Sequence, residues 1–121
     1  MPLETKGNPD ICDRTFLFAL RIIKLSAALR ANRQYSLADQ VLRSGTSIGA
    51  NVEEAQDAAT RKDFIKSMVI ALKEARETNY WLRLFLEGKL IGKEVLTPIS
   101  EEVLQIIKIL TAIVKTSKRN S

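Results

Sequence analysis

Lys62, Lys66, Lys73, Arg76, Tyr80 and Arg83 follow one another at spacings of four, seven, three, four and three, which places five cations and a phenol on one face of a helix. The chemistry open to such a line is charge neutralisation of phosphates, with the ring available to stack on a base or lie against a sugar. The plainer reading is a solvated face, since outward helix faces are usually charged, and Glu87 at the end of the line speaks for it. A second constellation lies one helix earlier. Gln40, Arg43, Ser47, Asn51 and Glu54 form a polar stripe beside the apolar stripe Val41, Ser44, Ile48, Val52 and Ala55. An unpaired buried polar group costs about 1–3 kcal/mol, so half-buried members of this stripe need partners. Arg43 reaching Glu54 of a neighbouring subunit, or Glu77 on the following helix, would supply them. Trp81, the one tryptophan, falls in line with Glu74, Glu77 and Leu84 and reads as packing, between subunits included. The set Gln40, Arg43, Ser47, Asn51, Glu54, Glu77 and Trp81 is thus a candidate interhelical or intersubunit network, the alternative being a solvated face beside the core.

The residue inventory argues against an enzyme. There is no histidine, which removes the Ser-His-Asp and Cys-His arrangements, imidazole metal ligands and the Glu-x-x-His pairs of di-iron bundles. Glu53-Glu54 and Glu101-Glu102 are adjacent, hence about 100° apart on a helix and poorly placed to share a site. Gly45 and Gly49 interrupt a helical pattern and do not form a phosphate-binding loop between strand and helix. Neither a cofactor, a metal nor a small-molecule substrate is expected.

Four helices must position these residues. The first spans about Asp10 to Ala31, with Phe16, Leu20, Ile23 and Ala27 as its inward stripe, widened by Leu17, Ala19 and Leu29; Arg14, Arg21 and Lys24 point away. The second is expected to start at Ser36, capped with Asp39 three residues on, and to run to about Ala59. Its two glycines, each costing about 1 kcal/mol relative to alanine, predict close backbone approach. Thr60 and Asp63 repeat the cap and open the third helix, whose stripe is Phe64, Met68, Ala71, Ala75, Thr78, Leu82 and Phe85, ending near Gly88. Pro98 predicts a short turn over about 93–97 and then a main helix from Pro98 to about Ser117, the alternative being one continuous but kinked helix. Its stripe is Ile99, Val103, Ile106, Leu110 and Ile113. Ile107, Val114 and Leu17 are surplus apolar positions that an oligomer could cover. The expected fold is all-α, an antiparallel up-down-up-down four-helix bundle over 10–118, with a flexible arm at 1–9 and a frayed tail at 119–121.

Composition agrees with that class. The 121 residues are 45% hydrophobic and 27% charged, enough for one core, and 19 Lys+Arg against 14 Asp+Glu leave a net charge of +5, which favours an anionic partner or serves solubility alone. The lone Cys12 points to a reducing, cytoplasmic setting; no leader peptide or membrane-spanning run is visible.

The stretches YSLADQVLRSGTSIGANVEEA, TRKDFIKSMVIALKEARETNYWL and ILTAIVKTSK resemble the four-helix bundle family encoded in intervening sequences of bacterial 23S rRNA genes. The matching positions are Leu37, Gln40, Arg43-Ser44, Ser47-Ile48, Ala50-Asn51 and Glu54, then Arg61-Lys62-Asp63-Phe64 and Glu77. Gly49 stands where many members have proline, and Ala55 where many have glycine. The resemblance implies a four-helix bundle and a cyclic homo-oligomer, with pentamers as the arrangement of relatives. It also implies similarity to accessory proteins of diversity-generating retroelements, which assist a reverse transcriptase and bind nucleic acid. Two classes of function follow: a non-catalytic, homo-oligomeric bundle binding RNA, DNA or a nucleoprotein, or a protein-interaction scaffold with no nucleic-acid contact.

Overall fold

In the computed structural model, which describes residues 10–120, four helices account for most of the described residues: α1 (Ile11–Ala31), α2 (Tyr35–Gln56), α3 (Arg61–Glu87) and α4 (Lys93–Arg119). The expected arm at 1–9 and the last residue of the tail lie outside the described residues. α1 packs on α2, α2 on α3 and α3 on α4, while α4 returns to α1 through a sparser seam; α1 and α3 do not meet. Short connections and that neighbour order give the up-down-up-down bundle. No strand occurs among the described residues, and no helix there is long and apolar enough to cross a membrane.

The ends are closed by local chemistry. Asp10 caps α1 by accepting from the Asp13 N–H at 2.9 Å, and Thr60 caps α3 by accepting from the Asp63 N–H at 3.1 Å. α1 and α3 finish alike. Gln34 donates to the Leu29 carbonyl and Leu90 to the Phe85 carbonyl, both at 2.9 Å, with Arg33 (φ 63°) and Lys89 (φ 56°) in the left-handed conformation between. This tight closure places the start of α2 at Tyr35 rather than Ser36. The Ala38 N–H already bonds the Gln34 carbonyl, no side chain caps the helix, and Asp39 pairs instead with Arg30 of α1. At its other end α2 stops at Gln56, short of Ala59, in the turn that precedes the Thr60 cap.

The expected inward stripe of α1 is the wrong one. Phe18, Ile22, Leu25 and Leu29 are buried, whereas Phe16, Leu17, Leu20 and Ile23 are exposed. Both sets recur at helical spacing, and α2 decides between them. A Cβ built on Gly45 would lie 2.7 Å from two γ carbons of Ile22, and one on Gly49 would lie 3.3 Å from Thr15 Oγ1 and from its carbonyl oxygen. The glycines thus admit the Thr15–Ile22 side of α1 against α2, and that turns Phe16 and Ile23 outward. Nor is Arg14 free of the fold: it spans the α1–α4 seam, donating from Nε and Nη2 to the two Glu102 oxygens at 3.0 and 2.8 Å. That bidentate bond raises its pKa further.

α4 is one helix, without the turn expected over 93–97. Pro98 costs a helix interior about 3 kcal/mol, but Leu96 before it and Ile99 after it are both buried, and packing holds the turn helical. Toward the other end Val114 is buried and Ile113 only half-buried, so Val114 belongs to the core and is not surplus. Between α2 and α3 the Ser44 and Thr78 hydroxyls, fully buried, lie 2.9 Å apart. Thr78 donates to the Glu74 carbonyl at 2.8 Å and so accepts from Ser44.

Candidate functional site

The core stripe of α3, Met68, Ala71, Ala75, Thr78, Leu82 and Phe85, faces the bundle throughout, with Phe64 half-buried at its start. That fixes the opposite face. At about 100° per residue, Lys62, Lys66, Lys73, Arg76, Tyr80 and Arg83 fall within an arc of about 100° on it, and all six are exposed. The line is about 31 Å long from first to last. Arg14, Arg30 and Arg43 are held in ion pairs, whereas none of the five α3 cations takes part in one among the described residues. Lys66 borders a groove at the α2–α3 turn with Glu54, Asp57 and Asp63, so carboxylates dilute the field at that end. Exposed Val69 also lies on this face, a position the charge pattern passes over.

The polar stripe of α2 divides in two. Ser47 donates to the Arg43 carbonyl at 2.6 Å and Asn51 to the Ser47 carbonyl at 2.8 Å, so both are satisfied within their own helix. Gln40 and Glu54 are exposed. Arg43 alone crosses to α3, donating to Glu74 Oε1 at 3.2 Å and to Glu77 Oε2. Glu77 Oε2 also accepts from the Trp81 indole N–H at 3.1 Å, and Trp81 packs half-buried against the core. The two sequence constellations therefore meet. Glu74 and Glu77, the carboxylates nearest the Lys73–Arg83 segment, are turned toward α2 and neutralised in part by Arg43. A purely charge-based reading of α3 could not have shown this, because it depends on the α2–α3 register.

Replacing Arg43 with alanine leaves these carboxylates side by side without their cation. With the guanidinium about half exposed, the expected loss is only about 1 kcal/mol of stability, read as a lower urea midpoint. Trp81 emission should shift with it, because Glu77 loses its anchor. An unchanged midpoint with unchanged emission would contradict the bridge.

Among the described residues no group of three or more cysteine, aspartate or glutamate side chains is placed to hold a metal ion. Cys12 is half-buried against the core, and burial first, then Asp10, Glu53 and Asp13, pushes its thiol above the ordinary range. The folded state holds this proton more tightly than the unfolded chain. The thiol thus supports folding below its unfolded pKa and ceases to as pH rises through the folded value. Iodoacetamide at pH 8 is expected to alkylate Cys12 more slowly in buffer than in urea; equal rates would contradict the burial.

Residues 8–112 match the model of the 23S rRNA-intervening sequence protein. Among solved structures, a Bacteroides thetaiotaomicron protein described as of unknown function from the S23 ribosomal protein family superposes with a TM-score of 0.84 at 42% identity. The match covers 88% of this chain and 99% of that one. No curated protein matches the chain.

Proposed function

This chain belongs to the 23S rRNA-intervening sequence protein family, and we propose that it is a non-catalytic, homo-oligomeric cytoplasmic bundle that binds RNA or DNA through the outer face of α3. The observation that carries this reading is that Lys62, Lys66, Lys73, Arg76 and Arg83 are exposed on one face and unpaired, while the adjoining Glu74 and Glu77 are drawn off it by Arg43. A charge of either sign held in an internal pair adds little to an external field; five unpaired cations in line add directly. Binding should be weak in sequence preference and steep in salt. Titration of a labelled oligonucleotide at low salt tests it, and no binding of either RNA or DNA would end the proposal.

Oligomerisation rests on the other side of the molecule. Phe16, Leu17, Leu20 and Ile23 form an exposed apolar stripe on α1, of the kind that marks a protein contact. Because α1 and α3 are diagonal in the bundle, assembly through α1 leaves the α3 face outward on every copy. The double variant Leu20→Glu, Ile23→Glu should lower the mass measured by light scattering to that of a monomer without unfolding the chain. Wild-type monomer at micromolar concentration would contradict it. The same stripe also supports a second reading, a scaffold for a different protein, which a stoichiometric heterologous partner and nucleic-acid-free preparations would favour.

A further inference from the structure

We infer that the α3 face takes single-stranded nucleic acid in preference to duplex, with Tyr80 as its stacking platform; this rests on the proposed binding role of that face. Tyr80 is 50% exposed in the middle of the cleanest part of the line, with Arg76 one turn before it and Arg83 one turn after. Its ring is braced rather than loose. It meets Trp81 edge to face, the centroids 5.3 Å apart and the planes at 64°. Trp81 is held by the core and by its bond to Glu77, and the same carboxylate oxygen accepts from Arg43 on α2. A continuous chain of contacts, Arg43 to Glu77 to Trp81 to Tyr80, thus fixes an outward aromatic ring from the neighbouring helix. An edge-to-face pair uses at most one face of the tyrosine, and half of the residue stays open to solvent for a ligand.

The geometry suits an unpaired base. Every base has a π-face on which an aromatic ring can stack, and in single strands that face is accessible. In a duplex the bases are stacked on one another, and only their edges and the backbone meet a protein unless a nucleotide is flipped out. Arg76 and Arg83 stand about 6 and 4.5 Å along the helix axis from Tyr80, placed to neutralise the phosphates flanking a stacked nucleotide. Exposed Leu84, one turn beyond Tyr80 on the same side, adds apolar surface for the sugar. A duplex would use the cations and leave Tyr80 idle.

Fluorescence anisotropy at low salt, with one labelled oligonucleotide as a single strand and annealed to its complement, separates the cases. The single strand should bind roughly fivefold tighter or more. Tyr80→Ala should weaken single-strand binding by about 5- to 100-fold while leaving duplex binding unchanged, and Tyr80→Phe should behave as wild type. Unchanged duplex binding also shows that the variant is folded. Equal binding of the two forms, or a Tyr80→Ala effect that is absent or equal on both, overturns the preference while the α3 surface reading stands. Failure of both forms to bind overturns that reading and the preference with it.

Discussion

Gly45→Ala is expected to destabilise the bundle by about 1–3 kcal/mol, against the usual gain of about 1 kcal/mol when an internal helical glycine becomes alanine. The new methyl carbon would stand 2.7 Å from both γ carbons of Ile22 and 3.1 Å from its Cβ. Ile22 is fully buried and branched at Cβ, so no rotamer removes both γ carbons, and Cβ moves only with the backbone. Relief requires α1 to back away from α2, which loosens the contacts of Phe18 and Leu25 as well. Gly49 provides the internal control. Its added carbon would meet Thr15 at 3.3 Å, a contact that a shift of a few tenths of an ångström relieves, and the propensity gain should leave Gly49→Ala near neutral. Urea midpoints of the two variants decide the matter, and a Gly45→Ala protein as stable as wild type would sink the argument. A double-mutant cycle sharpens it. Ile22→Ala alone should cost about 2–5 kcal/mol, and the pair less than the sum of the single losses, because the new methyl then enters the space vacated by Ile22.

The same contact explains what sequence could and could not reveal about the fold. Helix α3 was legible in its stripe, its cap at Thr60 and its stop at Gly88, with buried Leu72 the one core position the stripe passes over. Helix α1 was legible as a helix but not in its orientation, because it carries two apolar stripes and the choice between them is made by Gly45 and Gly49 on another element. Of the two readings of Pro98, the short turn over 93–97 fails for a related reason and the continuous helix holds. Local propensity sees the proline and not the burial of Leu96 and Ile99 on either side of it. Ser36 has the right chemistry for a cap, yet the closure of α1 through Arg33 starts α2 before Ser36 is reached.

For the candidate site, spacing alone placed the six α3 residues on one outward face, since that needs only the helical period and a known core side. It also offered Glu77 as a partner for Arg43, with Glu54 of a neighbouring subunit as the alternative; within the chain Arg43 reaches Glu77. It could not show that Ser47 and Asn51 spend their hydrogen bonds within α2, or that Glu74 shares Arg43. Those outcomes depend on rotamers and on the α2–α3 register. They matter because the removal of Glu74 and Glu77 from the outer face is what makes the Lys73–Arg83 segment so uniformly positive.

That segment yields a large expected change in binding, on single strand and duplex alike. Lys73→Glu with Arg76→Glu should lower nucleic-acid affinity at about 0.1 M salt by roughly 60-fold or more. With log K falling by about 0.9 per contact for each decade of salt, one phosphate contact at 0.1 M is worth on the order of eightfold relative to 1 M; two multiply to that figure, and the reversed charges add repulsion. The slope of log K against log salt should flatten by about 2 for duplex and somewhat less for a single strand. The loss should be similar for unrelated sequences, because phosphates carry no sequence. Net charge is the competing explanation, since the pair of reversals takes the chain from +5 to +1 (5 − 4). Lys108→Glu with Lys115→Glu makes the same change on exposed positions of α4 and should cost much less. If the α4 pair weakens binding as far as the α3 pair, the protein is attracting nucleic acid by its overall charge and the α3 face has no special part in it. If only the α3 pair does so, the cations that α3 turns away from the core, and that no carboxylate among the described residues has claimed, are the contact surface.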